Sequence, residues 1–215
     1  MTADRALVLL HGATDTPEMW RHVQAGLGDS FHILTPQLPG VGTDARKPFT
    51  LQRAADSVSA AVLETGFASA YVCGAGLGAM VALRLAADQP DRVTGLALIT
   101  RQVRLSPLLM SLPAVVMRLL PATTVERLGA GPDQVIALLN QVRPVDFIPL
   151  TPRVVAPVVV ICGEHDRINL RASAALARAL PHGDFKIIPA AGPDWLTESP
   201  LLLTQLLLSA VGRGG

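Results

Sequence analysis

Short apolar runs recur along this chain at intervals that leave room for one helix between neighbours, and few folds accommodate that rhythm. The runs are ALVLL (6–10), FHILT (31–35), AYVC (70–73), VTGLALIT (93–100), PVVVIC (157–162) and FKIIP (185–189). Strands that are continuously apolar, rather than alternating, are covered on both faces, as in a parallel sheet with crossover helices. The intervening segments supply those helices. Thr16-Pro17 offers an N-cap and a first-turn proline for a helix to Leu27. Thr50 can cap a second helix, in which Leu51, Ala55, Val58 and Val62 share one face and Gly66 marks the end. A third runs from about Leu77 to Asp88. The pattern predicts an α/β fold, a mostly parallel sheet flanked by helices, and 215 residues suit a single domain over 1–215.

One region departs from the alternation. Residues 101–156 contain no strand-like run but several short helical patterns. Leu105, Leu108, Leu109 and Leu112 fall on one helical face, and Val115, Val116, Leu119 and Leu120 form a second apolar cluster. This segment is expected to be a short helical lid, inserted between core strands and covering the carboxyl ends of the sheet. A lid so apolar implies a small hydrophobic ligand.

Composition bounds the rest. Half of the residues are hydrophobic and only 16% are charged, with a mean hydropathy of +0.41, which fits a large core or an apolar pocket. A formal net charge of +1 and the lack of any lysine or arginine block give no field to attract nucleic acid. The most apolar stretch, 105–121, is interrupted by Pro107, Pro113 and Arg118, so no membrane insertion is expected. Asp4 and Arg5 lead directly into the first apolar run, which leaves no room for a signal peptide. Cys73 and Cys162 lie inside predicted strands and read as reduced core thiols, consistent with a cytoplasmic protein. Their burial makes either a poor nucleophile.

The glycine turn in YVCGAGLGAMVALRLA (71–86) admits two readings. As Gly74-x-Gly76-x-x-Ala79 it is a dinucleotide fingerprint; as Gly74-x-Gly76-x-Gly78 it is a nucleophile elbow with glycine at its centre. A dinucleotide fold needs a carboxylate near the end of the next strand, and here that strand ends at Thr100-Arg101. The turn also follows two complete strand–helix units instead of opening the domain. Both facts favour the elbow, and no cofactor or metal is expected.

Five segments, in order, resemble the α/β-hydrolase family: LVLLHGATDTPEMW, LTPQLPGVGTD, VCGAGLGAMVALRLAADQPDRVTGLALI, APVVVICGEHDRIN and KIIPAAGPDWLTESP. The resemblance runs from Leu7 to Leu208 and implies a pocket at the carboxyl ends of the strands. It places the family's nucleophile at Gly76 and its catalytic histidine at Pro193, where neither side chain can do that chemistry. Only the acid position, Asp166, is matched. What it implies is retained is the oxyanion hole, built from the backbone amides of Ala13 and Leu77 and flanked by Gly12, Ala75 and Gly76. Arg101 would sit at the pocket edge, as an anion-binding group or a lid hinge. Pro193 and Trp195 would line the cavity or pack its loop. Asp166 is either a general acid or base in an apolar cavity or a remnant tied to loop amides or to Arg167. His11 is either a base or a brace of its own loop.

These residues together predict a cofactor-independent, non-hydrolytic enzyme of lyase, isomerase or cyclase type. Its substrate would be a small hydrophobic carbonyl compound, of the kind found in secondary metabolism. The alternatives are an inactive member that binds a ligand or partner, and a hydrolase that uses bound water without an acyl-enzyme.

Overall fold

The structure, a computed structural model, describes residues 4–13, 15–41, 49–100 and 147–211. Six strands form one sheet: β1 (Ala6–Leu10), β2 (His32–Leu34), β3 (Ala70–Ala75), β4 (Val93–Ile99), β5 (Val158–Gly163) and β6 (Gly183–Ile188). Their order is β2-β1-β3-β4-β5-β6, and every pairing is parallel. The helices are α1 (Arg21–Leu27), α2 (Leu51–Glu64), α3 (Leu77–Asp88), α4 (Leu170–Ala179), α5 (Trp195–Glu198) and α6 (Pro200–Val211). Each apolar run of the sequence is a strand. The edge strands differ most from expectation. β2 is three residues long, and β6 starts at Gly183, ahead of its apolar run. Asp184 and Lys186 of β6 are exposed, so hydropathy does not mark where that strand begins.

All five residues of β1 are buried because both faces of the sheet are covered. Ala6, Val8 and Leu10 pack on one side with α2 and α3, against Leu51, Ala55, Val58 and Val62, the helical face read from the sequence. Leu7 and Leu9 pack on the other with Trp20 and Val23 from the α1 side and Leu203 and Leu207 of α6. Each such leucine contributes about 1.5–3 kcal/mol by leaving water. The Thr50 cap is present: its side-chain oxygen accepts from the Arg53 amide at 3.1 Å. The first helix is split. Pro17–Trp20 form a 3-10 turn that runs into α1, and the Thr16 side chain does not cap it. Thr16 instead hydrogen-bonds the Glu18 side chain, which lowers the pKa of that carboxyl.

Of the expected lid, residues 101–146 lie outside the described residues. The described remainder contains a 3-10 segment, Ile148–Arg153, held to the end of α3 by Arg153 Nη2 donating to Asp88 Oδ1 at 3.0 Å. Among the described residues no helix is long and apolar enough to cross a membrane.

Candidate functional site

The chain runs from β1 to one edge of the sheet through β2, then returns to β3 and proceeds the other way. The carboxyl ends of β1 and β3 therefore flank a topological switch point, the place where open α/β sheets form crevices for ligands. The two loops that leave these ends are the one that opens with His11-Gly12, the HG loop, and the glycine turn.

The glycine turn is a strand-to-helix elbow. Gly76 has φ +55° and ψ −112°, a conformation that side-chain-bearing residues rarely adopt. Its amide donates to the Ile99 carbonyl at 2.9 Å, and its own carbonyl accepts from Ala79 at 3.1 Å, which starts α3. A Cβ on Gly78 would collide with the Leu10 and His11 carbonyls, and one on Gly74 with the Gly78 backbone. Gly78, which a dinucleotide fingerprint leaves free to vary, is thus fixed by contact with the end of β1. The spacing that matters is Gly74-x-Gly76-x-Gly78. Leu77 opens α3, so its N–H is one of the first-turn amides with no carbonyl inside the helix to bond. The positive end of the helix dipole lies there as well.

The HG loop is braced from inside. His11 is fully buried. Its Nδ1 lies 2.8 Å from the Gly12 carbonyl, and its Nε2 accepts from the Leu38 amide at 3.2 Å. These partners fix the neutral tautomer with the proton on Nδ1. Burial lowers the pKa of His11, offset in part by the Gly12 carbonyl and the charges of Asp15 and Glu18. Both ring nitrogens are therefore used in tying β1 to the loop after β2. A second group here escaped the sequence reading. The Asp15 amide reaches back to the Gly12 carbonyl at 3.4 Å, and its carboxylate fills the space where a side chain on Gly12 would stand. That same point is 3.6 Å from the Ala75 carbonyl oxygen, immediately before Gly76. A Gly with an Asp three residues on gave the only sequence signal, and the loop path that unites them was not legible.

Asp166 is buried in the turn after β5. Its Oδ1 accepts from the Asn169 amide at 3.2 Å and its Oδ2 from Asn169 Nδ2 at 2.8 Å. Its backbone carbonyl accepts from Leu170 at 2.9 Å. The carboxylate thus closes the turn that leads into α4. This turn is pinned to the loop after β6 by Glu164 N to Ile188 O (3.0 Å), His165 N to Ala191 O (2.9 Å) and Ala190 N to Glu164 Oε2 (2.7 Å). Ala190 is held at φ +56° by these contacts. Pro193 follows in the same loop and is exposed. The segments that resemble the acid and histidine segments of the family are therefore joined in space.

The other expected residues are placed less centrally. Trp195 is buried in the core against α6, and among the described residues its indole N–H, like that of Trp20, has no acceptor. Arg101 lies outside the described residues. Cys73 and Cys162 are free and fully buried in β3 and β5, and burial pushes the Cys73 thiol pKa far upward. A thiol kept protonated in the core is not a nucleophile. A cavity of about 450 Å³ also exists, but at the opposite end of the sheet. It is lined there by Tyr71, Ala97, Val159, Ile161, Leu206 and Leu207, among others.

Comparison with known proteins agrees with this geometry. A pimeloyl-[acyl-carrier protein] methyl ester esterase from Aromatoleum aromaticum is 40% identical over 94 residues, which are 43% of this chain and 36% of that protein. The chain thus spans about a third of that relative's length. A putative carbamate hydrolase RutD from Yersinia enterocolitica is 25% identical over 96% of this chain and 87% of its own length. Among solved structures, an alpha/beta hydrolase enzyme from a Medee basin deep-sea metagenome library superposes with a TM-score of 0.81 at 17% identity. That superposition covers 97% of this chain and 89% of the other. The family model described as the alpha/beta hydrolase family matches residues 7–205, and the chain belongs to that family.

Proposed function

We propose that this protein is a non-hydrolytic, cofactor-independent enzyme on an α/β-hydrolase scaffold, enolising a small apolar carbonyl compound as a lyase, isomerase or cyclase does. The observation that carries the reading is Gly76, seated in the elbow where the family's nucleophile would project, with the helix start intact behind it. With no side chain there, no acyl-enzyme can form by the usual route. Pro193, at the expected histidine position, supplies no base. The amides of Leu77 and Ala13 remain to hold a developing oxyanion. One such donor is worth about 2.7–4 kcal/mol of barrier.

In this reading His11 and Asp166 act as scaffold. Their polar atoms already hold the HG loop and the turn before α4. The chemistry is proton transfer next to an oxyanion hole, and the substrate is a small hydrophobic molecule received where the HG loop meets the elbow.

A second reading has its own support. The relatives' names, a methyl ester esterase and a putative carbamate hydrolase, favour hydrolysis. In this chain hydrolysis would have to proceed by direct attack of water. The two readings separate in one assay with 2-tetralone and p-nitrophenyl esters. The proposal expects deuterium to enter the α-carbon of the ketone in D2O faster than in buffer, followed by NMR, with no turnover of the esters. Steady ester turnover without α-exchange would replace it with the hydrolytic reading.

A further inference from the structure

We propose that the cavity at the amino ends of the strands is a second binding site, for a small uncharged apolar molecule that carries one hydrogen-bond acceptor, with Tyr71 as its anchor. The sequence of β4 makes room for it. On the side of the sheet covered by α1 and α6, β1 presents Leu7 and Leu9, and β5 presents Val159 and Ile161. Between β3 and β5, β4 offers only Gly95 and Ala97 at this end. Gly95 is the register partner of Tyr71. A Cβ there would stand 2.5 Å from Cε2 and 2.8 Å from Cδ2 of the tyrosine ring. The glycine therefore lets the ring lie across β4. Leu206 and Ala210 of α6 close the space from above and leave about 450 Å³, a volume in the ordinary range of small-molecule pockets.

The lining defines the ligand. Tyr71 is 7% exposed, and of the polar side chains that line the cavity it alone is buried. No described residue hydrogen-bonds its hydroxyl, and that hydroxyl is not sealed in the core as the Trp20 and Trp195 indole N–H groups are. Burial pushes the phenol pKa upward, so Tyr71 meets a ligand as a donor. A ligand that supplies an acceptor satisfies a group the protein leaves unpaired. The charged side chains at the rim are Asp4, Arg5, Asp184 and Lys186, all exposed and two of each sign. Arg5 is also engaged, its Nη1 donating to the Val211 carbonyl at 2.8 Å. A carboxylate or an ammonium would meet repulsion there as well as attraction, and the floor of Ala97, Ile161 and Leu207 would strip its water. An uncharged ketone, ester or lactone avoids both penalties and hands its carbonyl oxygen to Tyr71. None of these residues belongs to the elbow or the HG loop, so this site stands or falls apart from the enolising reading.

The test is titration of the full chain with prodan, an uncharged naphthyl ketone whose emission reports the polarity and hydrogen bonding around its carbonyl. The wild type should bind one equivalent saturably, with emission to the blue of that in water. Ala97→Leu, which fills the floor, should abolish this binding, with a thermal transition showing that the variant is folded. Tyr71→Phe keeps the ring over Gly95 and removes only the hydroxyl. It should weaken binding by about 2–10-fold, the net worth of one hydrogen bond, and move the bound emission further to the blue. A wild type that shows no saturable binding up to the solubility of prodan overturns the assignment. So does binding that survives Ala97→Leu, which would put the probe elsewhere. If Ala97→Leu does not fold, Tyr71→Phe decides, and unchanged affinity and emission would overturn the proposal.

Discussion

In the proposed reading one residue, Gly76, decides the chemistry. A side chain at φ +55° carries backbone strain that a covalent catalyst tolerates for the sake of its nucleophile. In that reading glycine removes both the nucleophile and the strain. Gly76→Ser is therefore expected to lower unfolding stability by about 1–3 kcal/mol, measured by urea denaturation, while yielding no ester hydrolysis because Pro193 offers no base. His11 makes the second prediction at this scale. Its native pKa is depressed below the ordinary 6.5, mainly by burial. Above 6.5 both folded and unfolded forms are neutral, and the stabilisation is fully present. As pH falls below 6.5 the unfolded chain binds a proton that the native state resists, so stability declines toward the native pKa. The slope for this one group is at most about 1.4 kcal/mol per pH unit. His11→Gln should flatten that decline between pH 6.5 and 5, in unfolding midpoints measured across the range. A decline unchanged by the substitution would show that other groups cause it.

Among the elements, strands and long helices were legible in the sequence because burial on both faces leaves continuous apolar runs and one-sided helices. β1 matches its run, α2 its predicted Thr50 cap and its end before Gly66, and α3 its predicted span from Leu77 to Asp88. The weak points have physical causes. Edge strands such as β6 bury only part of their length, and Pro17 favours a tight first turn that a helical pattern cannot distinguish from an α-turn. The site was legible as positions along the chain and not as contacts. Sequence resemblance pointed to Gly76, Pro193 and Asp166 as candidate positions, but the bonds from Asn169 to Asp166, and the approach of Asp15 to Gly12, depend on how loops fold back. The Asp166–Asn169 pair gives a prediction here. Asp166→Ala removes both hydrogen bonds and Asn169→Ala only the one from Nδ2, so the double variant should cost less than the sum of the singles, with a coupling of about 0.5–3 kcal/mol. Strict additivity in thermal or urea unfolding would mean the pair does not hold the turn.

For the molecule as a whole, the sheet order sets where function can lie. A parallel sheet whose chain order reverses between β1 and β3 opens its crevice at their carboxyl ends, and the elbow packs on the end of β1 there, where Gly78 leaves no room for a side chain against the Leu10 and His11 carbonyls. The scaffold belongs to the alpha/beta hydrolase family, and in the proposed reading the places of its nucleophile and its histidine are taken by Gly76 and Pro193. The most direct measurement is intact-mass analysis after treatment with a fluorophosphonate, beside a double variant carrying Gly76→Ser and Pro193→His. The wild type is expected to stay unmodified and the double variant to gain one phosphonyl group at position 76. A covalent adduct on the wild type would contradict it.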